Sequence, residues 1–206
     1  PEIVRRYGPW LSRHESYLPV QAPPAAAAFG LYNWRVTDGW WREIPKPGAQ
    51  GTLAFTDPPV RPLVATCFIP AQPTEDFLGA HTLPDEHNVL RWFILFKYPA
   101  GVDKQQGERW FLDVHAPEVM KQPGLTRFFS YQVNTERFGL PGTWKPGSAP
   151  PPGSVVRDWD RVIELWYDNF RDWQRAVVDA PPAYTKPAWA TRDSYPFVEP
   201  GRDFVS

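Results

Sequence analysis

The stretch that most constrains the fold is residues 90–132, LRWFILFKYPAGVDKQQGERWFLDVHAPEVMKQPGLTRFFSYQ. It begins with an apolar and aromatic run, residues 90–98, which a Pro-Ala-Gly sequence closes, and this predicts a strand. Residues 103–121 carry apolar side chains at helical spacing, and Pro123-Gly124 ends that helix. Residues 125–133 are dense in Phe and Tyr and predict a second strand. We therefore expect strand, helix and strand in succession.

The remainder of the second half continues this alternation. A Pro/Gly-rich loop is expected over residues 138–158, a third strand over 161–167 and a second helix over 170–179. A last strand is expected near residues 195–198 or 203–205. The order β-α-β-β-α, completed by that last strand, is the order of a ferredoxin-like unit.

The first half shows a weaker version of the same pattern. It predicts a helix over residues 3–17, strands over 31–41 and 63–69, and a short helix over 74–79 with Thr74 as its cap. This order aligns His14 with His115, so residues 1–88 are interpreted as a degenerate ferredoxin-like unit. The first strand of that unit is apparently missing, as truncation before Pro1 would leave.

These patterns predict an α+β fold built from tandem ferredoxin-like units. Residues 89–206 would form the complete unit and residues 1–88 the degenerate one. A single such sheet leaves one apolar face uncovered, and pairing two units face to face buries it. The expected architecture is therefore a (pseudo-)dimeric α+β barrel within one chain.

Two runs carry a resemblance to a known family. FLDVHAPEV, residues 111–119, followed by PGLTRFFSY, residues 123–131, resembles the EthD-type proteins of the dimeric α+β barrel superfamily. Their motif is a helix ending in V-H-A-P, then P-G-L and an aromatic strand. The matching residues are Phe111, Val114, His115, Ala116, Pro117, Pro123, Gly124 and Leu125. The resemblance covers the second half of the chain well and the first half only loosely.

The resemblance implies a cofactor-independent enzyme that acts on a hydrophobic or aromatic small molecule. The implied reaction is of the lyase, cyclase or isomerase type, with His115 as general acid or base. Two alternatives stay open: a cofactor-free monooxygenase, as in other members of the superfamily, and a non-catalytic accessory protein that binds a hydrophobic ligand. A homodimer is a further expectation from the family.

His115 is the first candidate catalytic residue, and His14 is its counterpart in the first half. The sequence places His115 near the carboxyl end of a helix, where the helix dipole would favour the protonated imidazole. An ordinary histidine pKa suits acid–base work near neutral pH. The alternative for each histidine is a structural role, in which the imidazole fixes a helix end to a loop carbonyl.

Five further residues are candidate contacts for a hydrophobic substrate: Tyr131, Trp166, Asp168, Phe111 and Tyr32. Tyr131 and Trp166 lie on predicted strands and offer flat surfaces to a ligand, although core packing is the commoner role of such residues. Asp168 follows a strand, where it either points into a cleft or caps the helix that begins at Phe170.

Composition restricts the classes of function. The net charge of -1 gives no indication of a nucleic-acid or anionic-membrane partner. The single cysteine, Cys67, excludes an internal disulfide and a thiolate metal cluster, which is typical of a reducing, cytoplasmic compartment. The 26 prolines lie in clusters between periodic segments of a chain that is 42% hydrophobic, so they predict stiff loops around a regular core.

Several motifs are absent from the sequence. It contains no Gly-rich phosphate loop, no G-x-S-x-G nucleophile elbow and no H-E-x-x-H zinc motif. His81 and His87 stand near Asp85 and Glu86, a spacing more typical of a solvated acidic loop than of a metal site. We therefore expect neither a metal nor an organic cofactor, and no run of apolar residues is long enough to span a membrane.

Overall fold

The computed structural model describes residues 8–17, 36–42, 69–79, 89–133, 159–193, 197 and 199–200. These residues form a mixed α+β fold with two antiparallel sheets and two helices. None of the helices in the described ranges is long and apolar enough to cross a membrane.

The smaller sheet pairs β1 (Leu11–Tyr17) with β2 (Val36–Trp41). The larger sheet contains β3 (Glu75–Asp76), β4 (Leu90–Lys97), β5 (Leu125–Gln132), β6 (Arg161–Tyr167) and β7 (Glu199–Pro200). Its spatial order is β3-β5-β6-β4-β7, and all neighbouring strands are antiparallel. Helix α1 runs through three consecutive segments, Lys104–Trp110, Phe111–His115 and Ala116–Val119, of which the middle one is π-helical. Helix α2 consists of Phe170–Gln174 and the π-helical Arg175–Asp179.

From β4 to β7 the element order is β-α-β-β-α-β, which confirms the order predicted for the second half. Helix α1 connects β4 to β5, but these two strands are not neighbours in the sheet. Strand β6 lies between them. The last strand lies at Glu199–Pro200, between the two positions that the sequence suggested.

The central strand of the larger sheet, β6, is buried on both faces. All seven residues of β6 are buried, although successive side chains of a strand point to opposite faces. Ile163 and Leu165 face the two helices and belong to the main core. Val162 faces the other way and packs in a second cluster with Phe93 and Trp159. The side chains of β6 therefore belong to two clusters, one on each face of the sheet.

Arg161 connects three elements on the helix side of the sheet. Its side chain is fully buried and donates to both carboxylate oxygens of Glu108 on α1, to Glu75 on β3 at 2.6 Å, and to Ser130 Oγ at 2.6 Å. The Tyr98 hydroxyl also donates to Glu108, at 2.9 Å. Burial alone would raise the pKa of Glu108, but the hydrogen bonds and charge of Arg161 outweigh it and lower that pKa.

The helix predicted over residues 3–17 is wrong, because Leu11–Tyr17 is a strand that pairs with β2. Its apolar residues are too few to define a period, and a partner some 20 residues further along decides between helix and strand. Arg13 stacks on Trp40 of that partner, 4.6 Å from the ring centroid. The alignment of this segment with helix α1 is therefore also wrong.

The short helix predicted over residues 74–79 is wrong as well. Glu75 and Asp76 pair with β5 at the edge of the larger sheet. Thr74 caps no helix, and its hydroxyl accepts a hydrogen bond from the backbone N–H of Gln132 at 2.9 Å. The Asp76 carboxylate accepts a hydrogen bond from the backbone N–H of Gly79, and this bond stabilises a turn over residues 76–79.

The described part of the strand predicted over residues 31–41 is a strand from Val36 to Trp41. The strand predicted over residues 63–69 and the loop over 138–158 lie outside the described residues, apart from Ile69, which is exposed and not in a strand.

Candidate functional site

The candidate site centres on His115, the last residue of the π-helical segment of α1. A π-helical turn is rare and occurs frequently at functional sites. The imidazole is only 3% exposed. It stacks on the indole of Trp110 at 4.8 Å between ring centroids, with Phe111 at 5.7 Å and Tyr184 at 6.2 Å. His115 is therefore enclosed by aromatic rings.

A segment without regular secondary structure, residues 181–190, lies across helix α1, and we call it the strap. Thr185 holds it to the helix, because its backbone N–H and its hydroxyl both donate to the Glu118 carboxylate, at 2.8 and 2.5 Å. The Trp110 indole N–H donates to the Thr185 carbonyl at 3.4 Å. Trp189 adds an edge-on contact with Trp110 at 5.3 Å. The strap thus closes the space around the imidazole.

A chain of polar groups reaches from the sheet to the strap beside His115. The Tyr167 hydroxyl donates to Gln122 Oε1 at 2.5 Å, and Gln122 Nε2 donates to the Tyr184 hydroxyl oxygen at 2.8 Å. Tyr167 and Gln122 are buried, at 0% and 5% exposed. Burial raises the pKa of Tyr167 well above its ordinary value, so this phenol stays protonated and acts as a donor.

The protonation of His115 differs from the sequence-based expectation. Burial lowers its pKa from about 6.5 to about 3, so the imidazole is neutral at physiological pH. The predicted preference for the charged form is wrong for two reasons. Helix α1 continues beyond His115 to Val119, which moves the negative end of the dipole away, and desolvation outweighs the attraction that remains.

Tyr131 and Trp166 lie on the opposite face of the sheet from His115, and both hydrogen bond to Glu164. The Trp166 indole N–H donates to Glu164 Oε1 at 2.6 Å, and the Tyr131 hydroxyl donates to Oε2 at 3.3 Å. Arg91 pairs with the same carboxylate at 2.5 Å and lies 3.9 Å from Asp38 of β2. Burial, followed by the charge of Glu164, raises the pKa of Tyr131, so this hydroxyl also stays protonated.

The other predicted site residues are dispersed. Phe111 is fully buried and contacts both His115 and Phe96 in the core. Asp168 is exposed and does not cap α2; Asn169 does, by accepting from the backbone N–H of Asp172. His14 is half-buried on β1, opposite Gly39. Tyr32 lies outside the described residues. Of the predicted residues, His115 and Phe111 are brought together, and so are Tyr131 and Trp166.

Sequence reasoning missed Gln122, Tyr184, Glu164 and Arg91. Gln122 stands between a helix end and a Pro-Gly turn, and Tyr184 stands in a Pro-rich segment; neither position carries a motif. Glu164 did have a signal, because a lone carboxylate within the apolar strand sequence RVIELWY needs a partner. Arg91, on the apolar strand LRWFILFK, is the matching cation.

The described residues show no group of three or more His, Cys, Asp or Glu side chains placed to hold a metal ion. The polar groups described near His115 are the phenols of Tyr184 and Tyr167 and the amide of Gln122. No protein-family model matches the chain, and no curated protein matches it.

Proposed function

We propose that the protein is a cofactor-independent enzyme of the EthD type, which uses His115 as a general base on a hydrophobic, aromatic small molecule. The reaction class that fits is proton abstraction next to a carbonyl group, the first step of isomerase, cyclase and dehydratase chemistry. The observation that carries the proposal is a buried imidazole enclosed by the rings of Trp110, Phe111 and Tyr184, where burial lowers its pKa and keeps it neutral.

The protonation state suits a base. An imidazole that is neutral above about pH 3 is ready to accept a proton at physiological pH. Its low pKa makes it a weak base in the closed site. A substrate that develops negative charge on its oxygen beside the imidazole stabilises the imidazolium and raises that pKa during the reaction.

Access to His115 requires the strap to move, because the imidazole is almost completely buried. The hydrogen bonds of Thr185 to Glu118, which hold the strap to α1, are at the exposed surface. An aromatic ligand that enters between strap and helix would contact Trp110, Tyr184 and Trp189. These aromatic side chains between strap and helix favour a flat, apolar substrate.

We also propose that the chain forms a tandem, pseudo-dimeric α+β barrel. The strand order around β4 and β6 supports a ferredoxin-like unit in residues 89–206. A small apolar cluster is buried on the second face of its sheet, and Asp38 of the N-terminal half lies 3.9 Å from Arg91 on that face. A cytoplasmic location and a homodimer remain part of the proposal.

The test uses β-tetralone, a bicyclic aromatic ketone with exchangeable protons next to its carbonyl. Exchange of these protons in deuterium oxide is followed by NMR with and without the protein. His115→Asn removes the base while roughly preserving size, so we expect the catalysed exchange to fall about 10²–10⁴-fold. Lys121→Gln, an exposed change just beyond α1, is the matched control and should keep the wild-type rate. Wild-type exchange in His115→Asn would refute the acid–base role.

A hydrophobic-ligand carrier is the second candidate, favoured by the complete enclosure of His115 and its weak basicity. Calorimetry with β-naphthol, which resembles the enol form of β-tetralone, separates the two. Binding by the wild type with no catalysed exchange would support the carrier, whereas binding with exchange supports the enzyme.

A further inference from the structure

Tyr184 is the group on the strap that lies nearest to His115 and carries a proton. Its ring centroid is 6.2 Å from that of the imidazole, and its side chain is half-buried. The sequence offers no reason to select it, since it stands in the Pro-rich segment PPAYTKP. Its position opposite the proposed base raises the question of whether it supplies the acid.

The hydrogen-bond directions around Tyr184 are set by two buried residues. Tyr167 donates to Gln122 Oε1, so the amide of Gln122 is oriented with Nε2 toward the strap. An amide nitrogen can only donate, and the Tyr184 oxygen therefore accepts. The proton of Tyr184 must then point away from Gln122. A hydroxyl that accepts one hydrogen bond is also a better donor through its own proton.

We propose that Tyr184 is the proton donor of the reaction, with Gln122 and Tyr167 as its positioning residues. This inference rests on the proposed function of His115. The carbon–hydrogen bond next to the carbonyl breaks, its proton moves to His115, and its electron pair forms the new carbon–carbon double bond. The carbonyl oxygen receives the proton of Tyr184, which gives a neutral enol, an imidazolium and a phenolate. Return of a proton from His115 to Tyr184 restores both residues.

This assignment couples catalysis to closure of the strap. His115 belongs to α1, but Tyr184 belongs to the strap, so the acid and the base come within 6.2 Å of each other, between ring centroids, only when the strap lies on the helix. An open strap admits the substrate and lacks the acid. The closed strap excludes water and completes the pair, which is how mobile loops often contribute to specificity.

The decisive variant is Tyr184→Phe, which keeps the ring and removes the hydroxyl. We expect the kcat for β-tetralone exchange to fall about 10²–10³-fold, as for loss of a donor to a developing oxyanion. Affinity for β-naphthol should change less than about tenfold, and KM should change little. Lys186→Gln, at an exposed position of the same strap, removes no hydroxyl and is the matched control, which should keep the wild-type kcat.

Gln122→Met tests the positioning role through a double-mutant cycle. If Gln122 acts through Tyr184, Gln122→Met lowers kcat in the wild type but adds nothing in the Tyr184→Phe background. Additive losses would show a structural role instead. Tyr184→Phe activity within threefold of wild type, alongside an inactive His115→Asn, overturns this inference alone. A wild type that neither binds β-naphthol nor exchanges β-tetralone overturns the proposed function and this inference with it.

Discussion

The burial of His115 makes a quantitative prediction about how folding stability depends on pH. In the folded chain its pKa is about 3, and in the unfolded chain it returns to about 6.5. Between these values the unfolded state binds a proton that the folded state does not. Stability contributed by the neutral imidazole is therefore present above pH 6.5 and lost as the pH falls below it.

The size of the loss follows from proton linkage. One proton per molecule costs about 1.4 kcal/mol for each pH unit below 6.5, so lowering the pH from 7.5 to 5.0 should cost about 2 kcal/mol through His115 alone. Carboxylates contribute their own pH dependence, which a comparison of variants removes. We expect the unfolding free energy of His115→Asn to fall by about 2 kcal/mol less than that of the wild type across this range.

Urea unfolding at several pH values between 7.5 and 5.0 measures this difference directly. Val119→Ala is the matched control, because it truncates a fully buried residue of the same helix and removes no titratable group. It should lower stability at every pH and keep the wild-type pH dependence. Equal pH dependence in His115→Asn and wild type would mean that the imidazole is hydrated in solution, and would refute the closed strap as well as the lowered pKa.

Two further predictions concern the packing of helix α1. Gly107→Ala should destabilise the protein by about 1–3 kcal/mol, although alanine has the better helix propensity, because the new Cβ would lie 2.6 Å from the buried ring of Tyr98. A variant that is more stable than the wild type in urea unfolding would contradict this contact. Arg161→Met should cost about 3–5 kcal/mol at neutral pH by leaving the Glu108 carboxylate without its cation. Adding Glu108→Gln should recover part of that loss in thermal unfolding, and no recovery would show that the ion pair is not the cause.

The second half of the chain was predictable because local signals agree with the tertiary structure there. The strand predicted over residues 90–98 is observed as Leu90–Lys97, and those over 125–133 and 161–167 as Leu125–Gln132 and Arg161–Tyr167. Each is an apolar run bounded by Pro, Gly or charged residues, and it is long enough for a strand but short for a helix. Pairing partners in the sheet reinforce the same choice.

The first half was mispredicted where the local signal was ambiguous. Residues 11–17 contain only two apolar side chains, Leu11 and Tyr17, which are too few to define a period, and the choice depends on β2, which is distant in sequence. Thr74 followed by two acidic residues has the composition of a helix start. In the structure, however, Glu75 and Asp76 form a short strand that pairs with the edge of β5. The Arg161 guanidinium, on the helix side of the sheet, also donates a hydrogen bond to Glu75.

The location of His115 was predictable, but its chemistry was not. A dipole argument depends only on position in a helix, and it favoured the protonated form. Desolvation depends on what covers the residue, and the cover comes from Tyr184 and its neighbours, about 70 residues further along the chain. The separation of Tyr131 from His115 has a similar cause, because strand alternation alone does not say which face the helices cover.

The proline content helps to explain how a strap without regular secondary structure stays ordered on helix α1. Three prolines lie within residues 181–190, and Pro187 is buried. Proline restricts the unfolded or open segment, so less conformational entropy is lost when the strap orders on helix α1. The hydrogen bonds of Thr185 to Glu118, together with the packing of Tyr184, Trp189 and Ala190 against the main core, then hold the strap over His115.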